Sequence, residues 1–214
     1  MNIGLEKVYS YHHRKERGWG FLVLGEERGK FLRDNIGKNK NVLDIGCRDG
    51  ALTKAYREGN NVLGFDIDND ALEEAKKNLG INIKHADIND DWGLDKESFD
   101  VVVAAEVIEH IYYPVFVLEK IYEVLKPGGK LVGSVPHAFS LQNRVKLFFA
   151  KKTGTTLSDP THINHFSKKE FEGLLKKKFD EVRFQPIISN KFKLLAMVFP
   201  FLFAHTILFS TVKK

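Results

Sequence analysis

The sequence is almost without cysteine. Cys47 stands alone among 214 residues, so no disulfide can form within the chain and no cysteine cluster can hold a metal. A reducing compartment, the cytoplasm, is the expected location. Long apolar runs are equally scarce. The opening "MNIGLEKVYSYHHRKERGWG" has no apolar signal core, so no secretory leader is expected. The stretch "FKLLAMVFPFLFAHTILF" (192–209) comes nearest to a membrane span. It falls short of roughly 20 apolar residues, and Pro200 and His205 interrupt it, so core structure plus a buried final strand is expected. No segment is of low complexity and none repeats. Neither sign of charge dominates: a net +5 permits an anionic partner, nucleic acid or lipid headgroups, without requiring one. The 43% of hydrophobic residues suits one domain with a full-sized core.

What is present is alternation. "NVLDIG" (41–46), "NVLGFDI" (61–67), "INIKHA" (81–86), "FDVVVAAE" (99–106) and "GKLVGSVP" (129–136) read as strands. Helical periodicity fills the segments between the first three strands and between the last two. In one of these, Glu73 and Lys77 form an i,i+4 pair. In another, Pro114 opens a helix whose apolar stripe runs through Leu118, Ile121 and Leu125. A helix is expected at about 24–36, another at 167–177, and terminal strands near 180–187 and 205–212. Near-continuous apolar strands alternating with helices predict an α/β fold, a doubly wound, mostly parallel sheet with helices on both faces. The chain divides into an N-terminal flap and helix (1–40), a core (41–136), an insert (137–166) and a C-terminal helix and strands (167–214).

In such sheets ligands bind beyond the carboxyl ends of the strands, where the winding reverses. "VLDIGCRDG" (42–50) ends the first strand there. A dinucleotide turn needs a second glycine so that backbone can approach a pyrophosphate, but Arg48 occupies that place and the G-x-G-x-x-G spacing is not met. A nicotinamide dehydrogenase is thereby disfavoured. Gly46 and Gly50 suffice for a ligand without phosphate. Asp66, about twenty residues beyond Gly46, suits a ribose diol. Asp68 or Asp70 is left to cap the next helix. Asp87 could accept from an adenine amino group. Two acidic contacts to a nucleoside without phosphate contacts point to S-adenosylmethionine.

"VLDIGCRDG", "VLGFDID", "ADI", "FDVVVAAEVIEHI" and "LKPGGKLVGSVP" together resemble, in order, the motifs of class I S-adenosylmethionine-dependent methyltransferases. The resemblance covers about residues 24–136. It implies a Rossmann-like, seven-stranded sheet whose last strand is antiparallel. It also implies cofactor contacts from Asp44, Gly46, Asp66, Ile67, Asp87, Ile88, Ala105 and Glu106. Arg48 departs from the usual glycine; it is expected either to point to solvent, the favoured reading, or to pair with the cofactor carboxylate.

For the chemistry, "EVIEH" places Glu106, Glu109 and His110 at i, i+3 and i+4, one face of a helical turn. His110 with Glu109 forms a candidate base or acceptor-positioning pair. Glu106, Glu109, His110 and His165, with His162 as an alternative, form a candidate set for a divalent ion, with manganese or zinc competing with magnesium. That set resembles those of ubiquinone-biosynthesis O-methyltransferases and of small-RNA 2′-O-methyltransferases. The insert "SLQNRVKLFFAKKTG" (140–154) interleaves Arg144, Lys146, Lys151 and Lys152 with apolar residues. It reads either as a helix touching a membrane surface or as a lid packing Leu147 and Phe148 on the core. "YSYHHRKERGWG" suits a flap over the cofactor better than a nucleic-acid patch. The expected function is methyl transfer to oxygen of a small or lipid-linked acceptor. The rivals are RNA 2′-O-methylation and a non-catalytic cofactor-binding regulator.

Overall fold

The structure, a computed structural model, describes residues 3–214, the side chains of residues 3, 13, 16 and 190 excepted. Helix α1 (Ile3–Tyr11) runs into a π-helical turn, His12–Arg17, and α2 spans Gly25–Ile36. Strand β1 (Asn41–Ile45) is followed by β2 (Asn61–Asp66), α3 (Asn69–Leu79), β3 (Asn82–His85) and β4 (Phe99–Ala105). Helix α4 (Pro114–Val124) leads directly into β5 (Leu125–Pro136). The rest comprises α5 (Leu141–Phe148), α6 (Lys168–Leu175), β6 (Asp180–Ile188), the short α7 (Lys193–Ala196) and β7 (Ala204–Val212).

The seven strands form one sheet in the order β3-β2-β1-β4-β5-β7-β6, with β7 antiparallel to both neighbours. Successive residues of β1 face opposite layers. Leu43 and Ile45 join Val102, Ala104, Leu118, Ile121 and Phe171 on one side. Val42 joins Val101, Val103, Leu32, Ile36 and Leu79 on the other. That burial on both faces is why these strands read as unbroken apolar runs. The winding reverses between β1 and β4, which pair in parallel with Ile45 beside Ala104. The carboxyl ends of these two strands therefore open the crevice expected to hold a ligand.

Several local expectations need correction. Between β1 and β2 there is no α-helix, only a 3-10 turn at Thr53–Ala55. Asp44 gathers Thr53 Oγ1 at 2.5 Å and Tyr56 Oη at 2.6 Å, drawing this segment against the strand end. Gly50, at φ 76°, lies so close to α3 that a Cβ would meet Leu79 at 2.5 Å. Lys77 pairs with Glu74 rather than Glu73. Asp68 is the cap of α3, accepting from the Ala71 amide. The stretch 192–209 does end in a buried strand, but Leu194, Leu195, Met197, Val198 and Phe199 are exposed rather than core. A helix of four residues has too few turns to turn a full apolar face inward, and only Ala196 of α7 is buried. No helix among the described residues is long and apolar enough to cross a membrane.

Candidate active site

A cavity of about 990 Å³ opens at the β1/β4 crevice. Asp44, Gly46, Asp66, Ile67, Asp87, Ile88, Ala105 and Glu106 all line it, as does His110. Gly46, at φ 68°, makes the close approach possible: a Cβ there would stand 2.6 Å from Val107 Cγ2. Asp66 is 6% exposed, and its two carboxylate oxygens accept from the amides of Arg48 at 2.8 Å and Asp68 at 2.9 Å. The turn after β1 and the turn after β2 are thus locked around one carboxylate facing the cavity. Asp87 Oδ1 is held in the same way by the Asn89 amide and side chain, each at 2.8 Å. Burial raises the Asp44 carboxyl to about 6, against the lowering effect of its bonds from Thr53 and Tyr56.

A second cluster forms the opposite wall. The turn after β4 is not a regular helix: Glu106 sits at φ 61°, and a 3-10 turn covers only Ile108–His110. Glu106 therefore does not share a helical face with Glu109 and His110, although it lines the cavity and its Oε1 is buried without a hydrogen-bond partner. Glu109 is 1% exposed, and neither of its carboxylate oxygens has a hydrogen-bond partner. Burial, then the neighbouring Glu106, pushes its carboxyl well above the usual range.

The ring of His110 donates from Nδ1 to the Thr161 carbonyl at 2.8 Å, and that of His162 donates from Nδ1 to the Thr156 carbonyl at 3.0 Å. A carbonyl can only accept, so both rings keep an Nε2 lone pair. The rings lie edge to face at 4.8 Å. Ligand atoms of Glu109, His110 and His162 all fall within 4.8 Å of one another. Burial, aided by His162, lowers His110 to about 4, and burial lowers His162 as well, so both rings are neutral near pH 7.

His165 does not join this group. The Ile163 and Asn164 amides both donate to the Glu109 carbonyl, at 3.0 and 2.8 Å, which docks the insert with His162 facing inward. His165 falls beyond that anchor, where Phe166 pairs with His137.

The N-terminal segment forms part of the cavity wall. Leu5, Tyr9, His12, Arg17 and Phe21 line it, and Tyr9 meets His110 edge to face at 6.0 Å. Arg17 donates to Asp159 of the insert at 2.8 Å. Burial acts to raise the Asp159 carboxyl, but bonds from Thr161 and the nearby His162 and Arg17 outweigh it and hold it low. Arg48 is half-buried at the cavity wall and does not simply point to solvent. Its guanidinium donates to the carbonyls of Gly18 and Phe21, while Asp49 accepts from the Gly20 amide at 2.6 Å.

Sequence reasoning missed Arg28, which is buried, lines the cavity and donates to Ser134 Oγ at 3.1 Å. The available signal was an arginine on the apolar face of α2, one turn before Phe31 and Leu32 and one turn after Leu24, which precedes the helix. Asp159 and Arg17 carried no such signal, since they meet across 142 residues.

A family model described as a methyltransferase domain matches residues 12–178. The ubiquinone biosynthesis O-methyltransferase of Coxiella burnetii (strain RSA 493 / Nine Mile phase I) is 33% identical over 145 residues, 61% of this chain and 62% of that protein. The mitochondrial ubiquinone biosynthesis O-methyltransferase of Mus musculus is 28% identical over 160 residues, 65% of this chain and 43% of that protein. The chain thus spans less than two thirds of the length of these relatives. In fold it is similar to Burkholderia thailandensis 1,6-didemethyltoxoflavin-N1-methyltransferase, solved with S-adenosylhomocysteine. The TM-score is 0.71 at 17% identity, covering 98% of this chain and 87% of that one. A methyltransferase from Archaeoglobus fulgidus gives 0.66 at 19% identity, covering 97% and 99%.

Proposed function

The chain belongs to the class I S-adenosylmethionine-dependent methyltransferases, and from that footing we propose that it methylates oxygen in a small or lipid-linked acceptor. The observation that carries this is the meeting, in one cavity, of the cofactor wall (Asp44, Gly46, Asp66, Asp87) with Glu106, His110 and His162 opposite. The cofactor, when bound, supplies a methyl group already activated on a sulfonium centre. The chain's task is then to orient the acceptor and exclude water. In this reading Asp66 accepts from the ribose hydroxyls and the carboxylate of Asp87 from the base. Arg28, a buried cation at the cavity wall, suits the carboxylate of the cofactor's amino-acid portion. The N-terminal segment covers the site from solvent.

At the acceptor, His110 presents Nε2 to take the hydroxyl proton as the oxygen becomes a nucleophile. Alternatively, Glu109, His110 and His162 fit a divalent ion, and His110 Nε2 is then a ligand rather than the base. The reading is supported by the buried Glu109 carboxyl, whose oxygens accept no hydrogen bond, standing beside two Nε2 atoms whose rings are fixed by backbone carbonyls. Mixed oxygen and nitrogen donors favour manganese or zinc over magnesium, and the ion would lower the acceptor's pKa. Glu106, lining the same cavity, is the fourth candidate ligand.

A lipid-linked acceptor is supported by α5. None of its residues is buried, and its last residue Phe148 and the following Phe149 are exposed among Arg144, Lys146, Lys151 and Lys152. The lid alternative has Leu147 and Phe148 packing on the core; Leu147 is half-buried, whereas Phe148 is 84% exposed. We test the reading with methyl-labelled cofactor against phenols, polyprenyl-linked phenols, amines and RNA. Label on a hydroxyl of the first two classes is expected. Label only on nitrogen, or only on RNA, overturns it.

A further inference from the structure

The connection from β6 to β7, residues 189–203, leaves the same end of the sheet as α5. Pro136, which ends β5, pairs with Thr206 of β7, and the His137 amide donates to the His205 carbonyl. Residues from both segments line the cavity mouth: Asn143 and Gly154 from one side, Ser189 and Lys191 from the other.

Within this connection five of six consecutive residues, Leu194, Leu195, Met197, Val198 and Phe199, are large, apolar and 59–84% exposed. A soluble surface seldom presents such a contiguous patch without a partner for it. The loop is also anchored at its base. Phe192 stacks on the buried Phe203 at 5.4 Å, and Ala196 is buried, so the apolar side chains are held outward on a fixed platform.

Charge identifies the partner. No acidic residue occurs from His137 to Ser158 or after Glu181. Arg144, Lys146, Lys151, Lys152, Lys191 and Lys193 make no ion pair with a carboxylate among the described residues; Arg144 and Lys146 donate instead to the carbonyls of Phe139 and Gly154. A second copy of this face would set like charges against each other. An anionic bilayer matches both the cations and the apolar tip.

We infer that residues 194–199 are a wedge that inserts into an anionic lipid surface, preceded by Lys191 and Lys193, and that with α5 it seats the cavity mouth on the membrane. This rests on the lipid-linked acceptor reading and deepens it. A lipid-borne acceptor would then enter the cavity without crossing water.

The experiment is vesicle flotation of the full chain with phosphatidylcholine alone and with added phosphatidylglycerol. The proteins compared are the wild type, a wedge variant (L194S, M197S, F199S) and an α5 variant (K146E, K151E, K152E). S-adenosylhomocysteine affinity, measured on each, certifies an intact fold. The wild type should float with anionic vesicles only, and release as salt rises. The wedge variant should partition at least tenfold less at unchanged cofactor affinity. Wild-type protein that ignores anionic vesicles at low salt overturns the inference, while methyl transfer to a soluble phenol would leave the enzymatic reading standing. Equal flotation of the wedge variant, with loss confined to the α5 variant, overturns the wedge alone. Concentration-dependent dimerisation that the wedge variant abolishes, without vesicle binding, assigns the face to a second copy and also overturns it.

Discussion

Arg48 reaches back across 27 residues to donate from its guanidinium to the Phe21 carbonyl at 3.2 Å. With the further bond to Gly18 and the Asp49 bond to the Gly20 amide, it fastens the N-terminal segment over the cofactor turn. Other ties spread the fastening: Arg14 pairs with Asp70 of α3, and Arg17 with Asp159. Arg48→Gly should therefore loosen the segment without unfolding the protein. Arg48 sits at φ 51°, so glycine also relieves backbone strain. We expect S-adenosylhomocysteine to leave roughly tenfold faster, from about 1.4 kcal/mol of lost closure. Trypsin should cut sooner after Arg14, Lys15 or Arg17. Unchanged release and unchanged cleavage would show that Arg48 closes nothing.

Asp44 gives the cofactor-free protein a pH signature. Its carboxyl is raised to about 6 in the fold, above the ordinary 3.8. The folded state therefore holds a proton that the unfolded chain has already lost. The contribution of this group to stability is full below about pH 4, falls as pH rises through 6, and is constant beyond. Two units correspond to about 3 kcal/mol at most. Asp44→Asn keeps an acceptor for Thr53 and Tyr56 but cannot titrate. Urea unfolding of both proteins at pH 4.5 and pH 7 should show the asparagine variant gaining on the wild type at the higher pH. A constant difference would remove Asp44 from this role.

The cluster of Glu109, His110 and His162 predicts a metal effect readable without any acceptor. Chelated protein titrated with manganese should melt higher. An ion present at a hundred times its dissociation constant adds about 2.7 kcal/mol, or about 5 °C or more for a chain of this size. Glu109→Gln and His162→Ala should each abolish the rise, whereas His165→Ala should keep it. A rise that survives Glu109→Gln and His162→Ala would place the ion elsewhere.

Elements whose signal is local were legible in the sequence. The unbroken apolar runs of β1 and β4 announced a sheet covered on both faces, and Asp44, Gly46, Asp66 and Asp87 could be placed because they end successive strands. What depends on long-range docking was not legible. Whether His162 or His165 faces Glu109 is decided by two backbone bonds from the insert to the Glu109 carbonyl, and no periodicity reports those. The exposure of 194–199 was hidden for a related reason: apolar composition announces burial, yet a four-residue helix between two strand ends cannot turn all its side chains inward. The ties of Arg48 to the N-terminal segment were not legible because its partners there are backbone carbonyls, which have no sequence signature.

The account rests on the cavity at the β1/β4 crevice being the S-adenosylmethionine site, with Asp66 at its centre. Calorimetric titration of S-adenosylhomocysteine into the wild type and Asp66→Ala tests this most directly. A single saturable site is predicted for the wild type. Because hydrogen bonds to a charged group contribute roughly 1.5–3 kcal/mol each, affinity should fall at least about tenfold in the variant. Asp66→Asn, which keeps one acceptor oxygen, should fall between the two. No binding heat with the wild type, or equal affinity in a folded Asp66→Ala protein, would contradict the account.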